Sequence, residues 1–141
     1  MEKRSRRHTV FIRGAMLFFW MGIIFLFSSL PGSGNFYDPP LWYVLERKGA
    51  HVVEFALLTM LAFRFFRVCF TSRESWRSIL AISTMFAFTW ATLDELHQAF
   101  VFGRGSRLFD VGIDVFGSIV ACGVIWSIFS FQSLKKFKKM L

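Results

Sequence analysis

Uncharged runs long enough to cross a lipid bilayer, separated by clusters of charge, constrain this chain more than any other feature. A bilayer core about 30 Å thick takes roughly 17–25 apolar residues as a helix. Residues 14–30 (GAMLFFWMGIIFLFSSL) carry no charge. Three further stretches, about 48–67, 79–100 and 111–131, meet or approach the same requirement. No open sheet edge survives in lipid, so helices are expected. The expected fold is all-α: an integral membrane bundle of four transmembrane helices, with residues 1–141 as a single membrane domain.

A soluble bundle with a very apolar core is the competing fold. Composition leans away from it, with 55% hydrophobic residues, 20 phenylalanines and 18% charged residues, against about 25% charged in ordinary globular chains. The first segment decides the matter. A soluble amphipathic helix shows a polar stripe, and this one has none. The same segment follows a basic start (Lys3, Arg4, Arg6, Arg7), as a secretory leader does. Its apolar run exceeds a leader's usual core of about 7–15 residues, and no A-x-A cleavage site follows, so a retained anchor is expected.

The net charge of +8 reads as membrane orientation rather than nucleic-acid binding. Lys and Arg gather at the N-terminus (Lys3, Arg4, Arg6, Arg7, Arg13), between the second and third segments (Arg64, Arg67, Arg73, Arg77) and at the C-terminus (Lys135, Lys136, Lys138, Lys139). Only Arg47, Lys48, Arg104 and Arg107 fall on the other side. With four spans, the positive-inside rule puts both termini in the cytoplasm. Trp42, Tyr43 and Trp76 stand at expected boundaries, where interfacial aromatics belong. The KKFKK tail suits an anionic lipid surface. Residues 31–47, with Pro31-Gly32 and Pro39-Pro40, read as an irregular outer loop. Cys69 and Cys122 have no metal or redox spacing.

The acidic residues are distributed the opposite way. Glu2 and Glu74 lie on the cytoplasmic side; Asp38, Glu46, Glu54, Asp94, Glu95, Asp110 and Asp114 lie on the other, with His51 and His97. Helical spacing puts Arg47, His51 and Glu54 on one face of the second helix, with Lys48 beside it. Asp94, His97 and Gln98 share a face of the third, and Glu95 turns toward a neighbour. Asp110, Asp114, Gly117, Ser118 and Ala121 form a small-and-acidic stripe on the fourth, which permits close approach and points both aspartates inward. Gly103-Arg104-Gly105-Ser106-Arg107 is a flexible basic turn suited to an anion or to lipid headgroups. Ionisable groups are expensive in a membrane and mark functional sites by default. The structural alternative is a salt-bridge network, such as Arg47 or Arg104 with Asp110 or Asp114, that only holds helices together.

At these residues the chain resembles the VanZ-like family of bacterial membrane proteins. The first helix ends FLFSSLPG, similar to the family's Ser-Ser ending followed by Pro. Lys48-x-x-His51-x-x-Glu54 resembles its K-x-x-H-F-x-E-Y pattern. DELHQAFVFGRGSRLFDVGIDVFGSIVACG resembles its D-E-x-x-Q, G-R and D-x-x-x-(N/D)-x-x-G-x-x-x-x-G series. The likeness spans roughly residues 16–125. Phe55 stands where Tyr is usual, Val52 where Phe is common, and Phe102 where Pro often precedes Gly-Arg. The resemblance implies a multi-pass protein of the bacterial plasma membrane. It also implies an association with resistance to teicoplanin-type glycopeptide antibiotics, and it supplies a cell-envelope context rather than a reaction.

Several functions stay open at this point. The first is an outward-facing polar site that lowers susceptibility to lipid-anchored glycopeptides, with membrane lipid and a lipid-linked cell-wall component or the glycopeptide as partners. The second is a hydrolase or transferase for a lipid-linked headgroup, although no G-x-S-x-G or other nucleophile motif is present. The third is a small proton-coupled transporter, against which the clustering at one end counts. Metal binding is a lesser alternative, because His51-x-x-Glu54 reverses the Glu-x-x-His order of carboxylate bundles; no metal and no cofactor is expected. The residues expected to carry the site are His51, Glu54, Asp94, Glu95, Asp110 and Asp114 as proton-sharing groups. Lys48, Arg104 and Arg107 would neutralise an anion, and Gln98 would orient by hydrogen bonds.

Overall fold

The computed structural model describes residues 2–32, 40–70, 74–104 and 108–138. Four helices account for nearly all of them: α1 (Glu2–Ser28), α2 (Leu41–Cys69), α3 (Trp76–Gln98) and α4 (Leu108–Lys138). No strand occurs among the described residues.

The helices outrun the apolar stretches that suggested them. α1 begins in the basic N-terminal segment, where no Gly or Pro interrupts a helix. α2 begins at Leu41, directly after Pro40. The expected outer loop therefore ends earlier than its composition suggested, and residues 41–47 are helical. Pro40 has φ −54 and precedes the first turn, where its missing N–H costs nothing. The rest of that expected loop, 33–39, lies outside the described residues. Ser75 caps α3, its hydroxyl accepting from the Ser78 N–H at 3.1 Å. After α3 the chain tightens: the N–H groups of Phe100, Val101 and Arg104 donate to the carbonyls of His97, Gln98 and Val101. Gly103 then turns left-handed at φ 77. Gly32 lies against it, its N–H donating to the Phe102 carbonyl at 3.3 Å.

Three helices contain segments long and apolar enough to cross a membrane: Arg4–Ser28, Trp76–Gln98 and Phe109–Phe131. α2 has the length, 29 residues, but not the composition, because it carries Glu46, Arg47, Lys48, Glu54, Arg64 and Arg67. Its position explains how it accommodates them. α2 packs against α1, α3 and α4, whereas α1 and α4 do not pack against each other among the described residues. The most polar helix is the central one.

Leu17 and Ile24 of α1 meet Phe55, Leu58 and Ala62 of α2 and Ala87 and Ala91 of α3 in the main core. A second core joins Phe63, Ile79, Leu80 and Ile125, flanked by Trp76 and Phe129. Away from these cores, Phe18, Phe19, Leu26, Met85 and Phe116 are exposed. Only 22% of the most apolar window of α1 is buried. A contiguous apolar surface on that scale needs a partner, and along helices of this length lipid is that partner.

The two ends of the bundle differ in chemistry. At one, Arg6 donates to the Val68 and Cys69 carbonyls, and Arg13 donates to the Arg64 carbonyl at 2.8 Å. Arg67 lies over the Phe129 ring. A cavity of about 500 Å³ there is lined by Arg13, Arg64, Arg67 and apolar residues of α2 and α4. The opposite end holds Glu54, Asp94, Glu95, Asp110 and Asp114.

Candidate functional site

The polar cluster forms where the start of α2, the end of α3 and the start of α4 converge. Glu54, Asp94, Glu95, Gln98, Asp114 and Ser118 are all buried. One close approach brings them together. A Cβ on Gly117 would overlap the carbonyl oxygen of Val52, so the backbones of α2 and α4 touch there. Asp114 sits one turn before Gly117 and His51 one residue before Val52, and the approach carries these side chains into contact.

His51 Nδ1 lies 3.0 Å from Asp114 Oδ1 and 3.9 Å from Glu54 Oε2. The shorter separation is within ion-pair range, yet it is off the line of a hydrogen bond: neither Nδ1 nor either Asp114 oxygen makes one, and all three atoms are sealed from solvent. Asp94 completes the group from α3. One donor atom each of His51, Asp94 and Asp114 lies within 4.8 Å of the other two. Gln98, one turn on, donates from Nε2 to Asp94 Oδ2 at 2.8 Å and fixes that carboxylate. α1 contributes through Trp20, whose indole N–H donates to the Glu54 carbonyl at 3.0 Å.

Two candidates occupy the rim instead. Lys48 Nζ donates to Asp110 Oδ1 at 2.6 Å, with both side chains about one-third exposed. Asp110 therefore does not join Asp114 in the interior. The stripe on α4 is real, but its first member falls at the helix end, where Lys48 reaches it. The partner of Asp110 is thus neither Arg47 nor Arg104, and Arg47 lies over the Tyr43 ring.

Arg104 serves chiefly to tie elements together. Its Nε donates to the Leu30 carbonyl at 2.7 Å and its Nη2 to the Phe27 carbonyl at 2.6 Å. The guanidinium thus closes the end of α1, whose last carbonyls have no partner within the helix. Burial, with the charge of Arg47 beside it, lowers the Arg104 pKa from its ordinary value, while Asp94 and Glu54 oppose that shift. An arginine stays charged under these conditions. Its Nη1 is buried with no hydrogen bond. Arg107 lies outside the described residues.

His97 shares a helix with Asp94 and Gln98 but faces α1. Its Nε2 is 3.0 Å from the Ser29 hydroxyl, and its ring packs on Phe25 with centroids 4.5 Å apart. Of the Asp94–His97–Gln98 face read from the periodicity, only Gln98 meets Asp94, while His97 turns to Ser29 and Phe25. Trp20 of α1 escaped the sequence reading, and Ser29, just past that helix, entered it only as part of the Ser-Ser ending. Trp20 sits in an apolar run where its one polar atom gives no sequence signal.

Apolar helices with exposed flanks, enclosing ionisable groups at one end, define a helical membrane protein with a buried polar centre. Within that class the chain belongs to the VanZ/LLP1 family, whose family model matches residues 13–130. The match takes in every residue of the cluster and leaves out most of the basic N-terminal segment and the C-terminal tail. No curated protein and no solved structure matches the chain.

Proposed function

We propose that this chain is a four-span, single-domain protein of the bacterial plasma membrane, with both termini in the cytoplasm. Its polar site opens outward and lowers susceptibility to lipid-anchored glycopeptides of the teicoplanin type. The site engages a lipid-linked cell-wall component or the glycopeptide itself. α2 supplies the fourth span, its charges accommodated by three neighbouring helices rather than by lipid.

One observation carries this reading: Glu54, Asp94, Glu95 and Asp114 are buried, with His51 largely buried beside them, at the end of the bundle opposite Arg6, Arg13, Arg64 and Arg67. With the basic end inside, the cluster faces outward, on the side where such drugs act. Lys48 at the rim supplies a positive charge for an anionic group.

A headgroup hydrolase or transferase draws support from the His51–Asp114 contact, since a carboxylate beside an imidazole is how many enzymes hold a general base.

The test is teicoplanin susceptibility of cells expressing wild type or Glu95→Gln, each normalised to its abundance in the membrane. The proposal expects equal abundance and lost protection in the variant. Wild-type protein that gives no protection would remove the resistance role and leave headgroup chemistry as the reading to assay.

A further inference from the structure

We propose that His51, Asp94 and Asp114 form the ligand set of a divalent metal ion of the zinc or manganese kind, held at the centre of the polar cluster. The inference deepens the outward-facing site proposed above and rests on that reading for its purpose. Its occupancy is measured separately.

Geometry is the first support. Three helices each deliver one donor atom, and the three atoms lie within 4.8 Å of one another. Nitrogen and oxygen ligands bind zinc at about 2.0–2.2 Å, which sets neighbouring donors roughly 3–3.5 Å apart. The His51–Asp114 separation of 3.0 Å already matches one such edge. The other donor separations lie within 4.8 Å and would shorten on binding.

Unmet polar capacity is the second support, and it is independent of the spacing. The Asp114 side chain is 2% exposed, and neither of its oxygens has a hydrogen bond. His51 Nδ1, aimed at it, has none either. A buried carboxylate that nothing donates to is costly. Two donor atoms 3.0 Å apart and off the hydrogen-bond line are also disposed as neighbouring ligands around a cation would be.

Charge points the same way. Glu54, Asp94 and Asp114 are buried together. Among the described residues, the guanidinium set against Glu54 and Asp94 is that of Arg104, while Lys48 is engaged by Asp110. A metal-bound imidazole is neutral. Among the described residues the carboxylates here outnumber the guanidinium set against them, an imbalance that a bound divalent cation reduces.

The surroundings suit a ligand set. Gln98 orients Asp94 through the hydrogen bond to Oδ2, as groups behind metal ligands commonly do. Imidazole favours zinc, and carboxylates also accept manganese. Three protein ligands leave a coordination position for an oxygen of an anionic headgroup or for water. Glu54, 3.9 Å from His51, stands beside it as a proton acceptor.

The experiment uses the full chain purified in detergent, stripped with chelator, and dialysed against Zn²⁺ or Mn²⁺ before elemental analysis. One ion per chain is expected, with affinity weakened by roughly tenfold or more in Asp114→Asn and in Asp94→Asn, and unchanged in His97→Ala. Because a cluster variant can fail to fold, the wild type is also measured alone. Mn²⁺-loaded protein should show electron spin-echo coupling to a single imidazole nitrogen, and either ion should raise the melting temperature. Retention of only one of the two ions supports the site and identifies the ion. Wild type that retains neither, whose bound Mn²⁺ lacks nitrogen coupling, or that binds as tightly after Asp114→Asn overturns the proposal and leaves His51–Asp114 a plain ion pair. Loss of protection in Glu95→Gln cells alongside metal-free wild type would reject the metal and keep the polar site.

Discussion

Gly117 of α4 lies against the backbone carbonyl of Val52 in α2, closer than any side chain would allow. That contact sets the distance between the two helices, and with it the meeting of His51 and Asp114 one turn away.

Replacing Gly117 with Ala should therefore destabilise the protein despite alanine's better helix propensity. Backbone cannot yield as a side-chain tip can, and overpacking costs about 1–3 kcal/mol, which exceeds the ~1 kcal/mol that Gly→Ala gains in a helix. Gly123, with nothing within 4 Å of its would-be Cβ, is the control, and Gly123→Ala should be neutral or slightly stabilising. Thermal unfolding in detergent reads both. Equal melting temperatures for the two variants would show that the approach at Gly117 is looser than described.

His51 and Asp114 should couple energetically. Breaking a buried charged pair by removing one partner costs about 3–5 kcal/mol, because the other is left uncompensated. His51→Ala and Asp114→Ala should each be severe, and the double variant much less than their sum. A double-mutant cycle on chelator-treated protein measures this. Simple additivity would mean that the residues are neighbours without interaction.

Arg104→Lys is not a conservative change here. Lysine cannot span the Leu30 and Phe27 carbonyls as the guanidinium does. Charged hydrogen bonds contribute about 1.5–3 kcal/mol each, so loss of one or both should lower the membrane abundance of Arg104→Lys and Arg104→Ala in that order. Normal abundance with lost protection would instead return Arg104 to the anion-binding role that the sequence suggested.

The Lys48–Asp110 pair is partly exposed, so its contribution to stability should be small, about 0.2–1 kcal/mol. Lys48→Ala should leave abundance nearly intact and reduce protection, since Lys48 supplies the rim charge. Restoring the pair in reverse, with Lys48→Asp and Asp110→Lys together, should recover stability but not protection. Full protection in Lys48→Ala would remove Lys48 from the binding group.

His97 should be dispensable for the site. It packs on Phe25 of α1 and meets the Ser29 hydroxyl just past that helix, so His97→Ala should cost packing and leave susceptibility per folded molecule unchanged. A specific loss of protection at equal abundance would mean that His97 moves into the cluster during function.

Helix existence was legible because hydropathy is local: an uncharged run as long as residues 14–30 crosses lipid as a helix whose backbone bonds are internal. The segregation of acidic from basic groups was legible for the same reason, as was the inward face of α4, since Asp114, Gly117, Ser118 and Ala121 recur at helical spacing and all are buried.

Tertiary structure alone decided which helix is central and which groups meet. The sequence presents α2 as one of four comparable spans. Packed among three neighbours, it becomes the core on which charge can be buried. Periodicity put Asp110 beside Asp114 and His97 beside Asp94, and it could not tell that Lys48 holds the first at the rim or that α1 draws the second away. Spacing along one helix specifies a face. Which neighbour that face meets, and how closely, depends on where two backbones can touch, and here that is the single glycine opposite Val52.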